Sequence, residues 1–189
     1  MNIYQKISVI LALCIYFPLA YQILKGSVVQ NFATWFLWVL LDGIAAGSMF
    51  VQGGNFQLPF AYVFGGTSIL LCILKTRSFK WTLFETTVSI MVFICIVGRM
   101  LSGPRLATIL STVAMAIASV PQIMDAWNKP HEVPFLVYVG YLVVNVLSAI
   151  GGKSWTIEER FYPMTCVFLC LIFVISSARK YSLAREATL

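Results

Sequence analysis

One carboxylate in this chain lies where a carboxylate is costly. Asp42 sits inside the apolar stretch from Asn31 to Ala46, which reads NFATWFLWVLLDGIAA. A charged side chain at the centre of a membrane helix costs about 2.5–3.5 kcal/mol on translocon scales, so such residues face a bundle interior or a water-filled cavity. Trp35 and Trp38 precede Asp42 at helical spacing, and the three share one helix face. Aromatic rings stack on a sugar or attract a cation, and a buried carboxylate anchors positive charge or carries a proton. The competing reading is a structural carboxylate bonded to a neighbouring helix.

The same pattern returns in the second half. Phe135–Ala149 reads FLVYVGYLVVNVLSA, with Tyr138, Tyr141 and Asn145 at the spacing of the first three. A shift of 103 residues lays Phe32 on Phe135, Trp35 on Tyr138, Trp38 on Tyr141, Asp42 on Asn145 and Ala46 on Ala149. It also lays Pro18 on Pro121. This is an internal repeat in which each half carries an equivalent helix and an equivalent polar group. The candidate substrate-binding residues are therefore Trp35, Trp38, Asp42, Tyr138, Tyr141 and Asn145. Asp42 is also the candidate for proton coupling.

The elements that must position these side chains are membrane helices. Hydrophobic residues make up 60% of the sequence, charged residues 11%, and the mean hydropathy is +0.88. So little charge does not cover a soluble surface, so an all-α integral membrane protein is expected. At about 20 residues per span, the chain accommodates seven helices with short loops and no soluble catalytic domain. The net charge of +6 is scattered through the loops. It reads as topology, with no nucleic-acid partner.

Cys14, Cys72, Cys95, Cys166 and Cys170 all fall in apolar segments without a Cys-x-x-Cys pair. They read as small hydrophobes, with no metal, disulfide or cofactor, and Cys166 and Cys170 as packing one turn apart. The spans hold no His pair, carboxylate pair or nucleophile–base arrangement, which ranks an enzyme last. His131 is a lone loop residue, read as solvated at the membrane surface.

The expected helices are Ile3–Leu24, bent at Pro18; Asn31–Val51; Leu58–Leu74; Trp81–Leu101; Arg105–Trp127; Val133–Ile150; and Phe161–Ser177. A polar tail, Arg179–Leu189, is expected to be disordered or to lie at the interface. Lys6 followed by the apolar run Ile7–Phe17 has the form of a signal peptide. Pro18 belongs to the repeat, however, so this run reads as the first spanning helix. The fourth helix has no counterpart under the shift and serves as a connector. Residues 1–76 are then a first three-helix repeat, 77–102 the connector, 103–180 a second repeat, and 181–189 a tail. Such a connector gives both units the same orientation, related by an axis along the membrane normal. Glu85, early in the connector and near Arg77 and Lys80, reads as a paired interfacial acid.

Loop charges set the expected orientation. Lys6, Arg99, Arg105, Lys153 and Arg160 lie on the N-terminal side. Lys25, Lys75, Arg77, Lys80, Lys129, Arg179, Lys180 and Arg185 lie on the other. The basic excess puts the C-terminus in the cytoplasm and the N-terminus outside or in a lumen.

With these features the chain resembles the PQ-loop and SWEET superfamily of small transporters. The residues that carry the resemblance are SVPQIMDAW, with Pro121-Gln122 near the end of the fifth helix. Its partner in the first half is FPLAYQILKG, where Pro18 is kept and Leu19 stands in place of glutamine. The resemblance implies a 3-1-3 bundle around one central cavity, alternating access, and Pro18, Pro121 and Gln122 as hinge elements. SWEET sugar transporters present an asparagine from the third helix of each unit, whereas Leu58–Leu74 and Phe161–Ser177 contain none. Asp42 instead gives the cavity a negative group, as suits a cationic solute such as an amino acid, or proton coupling. A receptor on the same scaffold, binding a peptide or metabolite without transport, is the alternative. A receptor for a carboxylate terminus needs an arginine cluster facing the cavity, and no Lys or Arg lies mid-helix.

Overall fold

A computed structural model describes residues 2–76, 81, 83–101 and 103–186. Arg77, Lys80 and Ser102 lie outside them, as do the side chains of Cys95, Arg99, Lys180 and Arg185. The described residues form eight α-helices and no strand: α1 (Ile3–Leu24), α2 (Phe32–Val51), α3 (Gln57–Thr76), α4 (Leu83–Met100), α5 (Pro104–Ala118), α6 (Val120–Asn128), α7 (Phe135–Ile150) and α8 (Tyr162–Glu186). Local chemistry sets several of the boundaries. Asn2 and Gln5 form a capping box on α1, and the Asn31 side chain accepts from Thr34 N at 3.0 Å to start α2. Gly53, at φ 69°, turns the chain out of α2 in a conformation that a Cβ disfavours.

Among the described residues, five helical rods are long and apolar enough to cross a membrane: Ile3–Leu24, Phe32–Val51, Gln57–Thr76, Pro104–Asn128 and Ile157–Arg179. The segments Glu85–Gly98 and Phe135–Ile150 are shorter apolar helices. The outer surface of the helices is apolar too, with Phe17 of α1, Leu136 of α7 and Phe168 of α8 all well exposed. That suits a hydrocarbon solvent and not water.

Two helices depart from expectation. The fifth expected helix divides at Ser119 into α5 and α6, just before Pro121, which lacks an N–H and crowds the preceding turn. By contrast, α1 stays one helix through Pro18. The expected tail from Arg179 is instead helical as far as Glu186, continuing α8. A π-helical turn, Ile157–Phe161, leads into that helix.

The packing partners are α1 with α3 and α7, α2 with α3 and α5, α4 with α5, α6 with α8, and α7 with α8. One contact decides how closely α1 and α3 approach. The Tyr16 ring lies over Gly65, in space that a Cβ there would overlap. Glycine thus lets an aromatic side chain of α1 pass between helices toward the centre.

Candidate functional site

The face that carries Trp35, Trp38 and Asp42 on α2 meets the face that carries Tyr138, Tyr141 and Asn145 on α7 around one cavity of ≈ 70 Å³. The structure therefore brings together all six residues singled out by the repeat. It adds Tyr16 from α1, Tyr62 and Gly66 from α3, Met115 from α5, and Tyr162, Cys166, Cys170 and Phe173 from α8. The two cysteines thus line the cavity as well as packing one turn apart.

Aromatic rings hold each other edge to face around this space. Tyr16 meets Trp35, Tyr62 and Tyr141 at centroid distances of 6.3, 6.4 and 5.6 Å, and Trp35 meets Trp38 at 5.3 Å. Tyr138 stacks on Phe173 at 4.6 Å. One amide serves both halves: Gln30 Oε1 accepts from Trp35 Nε1 at 3.0 Å and from the Tyr138 hydroxyl at 3.3 Å. Trp35 and Tyr138 are repeat equivalents, so a single acceptor fixes the matching ring of each unit.

Asp42 is 5% exposed, and Oδ1 accepts the Tyr162 hydroxyl at 2.6 Å. An O–H···O bond of that length is at the short end of the side-chain range. The two readings of Asp42 are thus not exclusive, since the carboxylate is bonded to a neighbouring helix and also borders the cavity. Asn145 behaves differently. Its Nδ2 donates to Tyr141 O at 2.8 Å, one turn back on the same helix, and approaches Cys170 Sγ at 3.6 Å. Its Oδ1 has no hydrogen-bond partner, nor does the buried hydroxyl of Tyr62. Among the described residues, no Lys, Arg or His lines the cavity.

Polar contacts between the sequence halves flank the cavity along the helix axes. Near the start of α2, Asn31 N donates to Gln122 Oε1 at 2.7 Å, and Asn31 Nδ2 donates to Glu85 Oε1 at 3.1 Å and Asp125 Oδ2 at 3.3 Å. Glu85 is 7% exposed and accepts from Asn31, while Arg77 and Lys80, the partners expected for it, lie outside the described residues. Beyond the C-terminal end of α2, Asn55 Nδ2 donates to Ser148 Oγ at 3.0 Å and Asn55 N to Glu158 O at 3.1 Å. Gln52 Nε2 reaches Thr108 Oγ1 at 2.9 Å. Gln122 is fully buried beside Pro121. Neither proline lines the cavity, but the break beside Pro121 touches it: Trp38 Nε1 donates to Ser119 Oγ at 3.0 Å, which in turn donates to Met115 O at 2.8 Å.

The sequence reading missed Tyr162, Tyr62, Tyr16 and Gln30. For two of these a signal existed. A shift one residue longer than that of the second helices pairs Tyr62 with Cys166 and Gly66 with Cys170, and all four line the cavity. It also pairs buried Leu58 with buried Tyr162. Comparisons with family models, curated proteins and solved structures found no match for the chain.

Proposed function

We propose that the chain is a membrane carrier that moves a small polar solute by alternating access, with Asp42 as its charged anchor. The observation that carries this reading is the meeting of two repeat-equivalent helix faces around a single cavity. A solute held between equivalent halves can be released to either side by rocking one half against the other. The packing supports the same reading. Under the repeat shift, the pairs α1·α7 and α2·α5 exchange with one another, as do α2·α3 and α7·α8. That is the exchange expected of two three-helix units joined by α4, the 3-1-3 arrangement of the PQ-loop and SWEET superfamily, to which we assign the chain on its sequence resemblance. In this assignment the N-terminus is outside or luminal and the C-terminus is cytoplasmic.

A receptor for a peptide carboxylate is disfavoured because no cation among the described residues lines the cavity. The test is counterflow in proteoliposomes loaded separately with amines, amino acids or sugars. One class should show saturable uptake that the same solute accelerates from the opposite side. Binding in a thermal-shift screen without trans-acceleration of any class would return the scaffold to a receptor.

A further inference from the structure

The polar atoms of the cavity are not a neutral mixture. Asp42 offers carboxylate oxygens, of which Oδ1 already takes the Tyr162 hydroxyl. Asn145 has no choice of orientation, because the Tyr141 carbonyl can only accept and therefore claims Nδ2. Its oxygen is left as a buried acceptor without a partner, on a residue 1% exposed. The unpartnered hydroxyl of Tyr62 can accept as well as donate. Around these acceptors stand the faces and edges of Trp35, Trp38 and Tyr16. No Lys, Arg or His among the described residues could receive an anionic group.

From this donor–acceptor balance we infer that the cavity binds a small primary alkylammonium ion that carries no carboxylate. The ammonium supplies the N–H donors that Asn145 Oδ1 lacks and the positive charge that Asp42 answers, while its alkyl part lies against the rings. A zwitterionic amino acid fits less well, because its carboxylate would be buried without a donor or cation to meet it. A neutral alcohol gives one hydroxyl and leaves the carboxylate without a counter-charge. The inference rests on the cavity being the solute site, as proposed above, and goes further by naming the chemical class.

The test is binding to the purified full-length protein in detergent or nanodiscs, read from intrinsic fluorescence, since Trp35 and Trp38 line the cavity. Ethylammonium, tetramethylammonium, 1-propanol and glycine are titrated at constant ionic strength. Ethylammonium should bind saturably. Tetramethylammonium, which keeps the charge but has no N–H, should bind less tightly, and 1-propanol and glycine should each be weaker by about tenfold or more. Equal binding of 1-propanol and ethylammonium would overturn the inference, and so would tighter binding of glycine. These comparisons use the unaltered protein, so they stand even if Asp42→Asn does not fold. Where it does fold, it should lose the preference for ethylammonium over 1-propanol, and retention of that preference also counts against the inference. Uptake of ethylammonium into proteoliposomes separates the two readings. Binding without counterflow removes the carrier and keeps the ligand class. Counterflow of a sugar or zwitterion that ethylammonium does not inhibit keeps the carrier and removes the ligand class.

Discussion

At equivalent places in the two halves, Asp42 accepts a hydroxyl from α8 at 2.6 Å, whereas Asn145 turns its amide back onto its own helix and leaves Oδ1 without a partner. The third helices explain the difference. Where the second half places Tyr162, the first half places Leu58, and each is buried. The half that carries the charge therefore receives a donor for it from the other half, and the half with the neutral amide receives none. Two sequence-equivalent positions thus make the two sides of the cavity unlike, with charge and support on one side and a free acceptor on the other. The same inequality recurs at the prolines, since α1 is continuous through Pro18 while α5 and α6 separate beside Pro121.

The strongest test of this inequality is to erase it at its centre. Asp42→Asn makes the two positions identical, and the scaffold already accepts an asparagine at that depth in the other half. The protein should fold with a near-parent melting temperature and lose solute binding at every pH, because the counter-charge is gone. Counterflow and pH-gradient uptake in proteoliposomes check this. Loss of accumulation alone, with exchange retained, would assign Asp42 to proton coupling, and parent-like transport in both assays would make it structural.

A smaller effect is expected when the support alone is removed. Tyr162→Phe deletes the hydroxyl that Asp42 accepts and should destabilise the protein by about 1–3 kcal/mol, the range for losing a hydrogen bond to a buried charged group. Denaturant or thermal unfolding in one detergent measures it, and Asn145→Leu, which removes a bond within its own helix and the long contact to Cys170 Sγ, should cost less. An equal loss in both variants would show that the halves contribute alike.

The prolines give a kinetic version of the comparison. Pro121→Ala restores a backbone donor at an existing break, whereas Pro18→Ala alters a helix that is already continuous. Pro121→Ala should slow transport several-fold with little change in affinity, and Pro18→Ala should slow it less. Equal rates for the two variants would detach the break from the gate. The least effect is expected at Ser119→Ala, which removes the acceptor for Trp38 Nε1 and should cost about 0.5–1.5 kcal/mol, the usual net value of one neutral hydrogen bond. A change in Trp fluorescence on ligand addition should shrink in this variant if the cavity and the break are coupled.

Sequence alone determined which residues share a helix face. Trp35, Trp38 and Asp42, and likewise Tyr138, Tyr141 and Asn145, follow from a 3.6-residue period and a repeat, both of which are properties of order along the chain. It also determined that the helices are apolar enough for a membrane, because that is a matter of composition. It did not determine what Asp42 touches. Tyr162 lies 120 positions away and stands at the start of a helix, where an aromatic residue reads as an interface anchor. Its hydroxyl reaches Asp42 only because α8 packs into the centre of the bundle. Nor did sequence alone determine that Glu85 accepts from Asn31, 54 positions away at the start of another helix. The seating of Tyr16 over Gly65 and the orphaned oxygen of Asn145 were likewise decided between helices. Periodicity fixes the direction of a side chain from its own backbone, but its partner depends on which neighbour's shape and polarity fill the space opposite, and that is settled by packing in three dimensions.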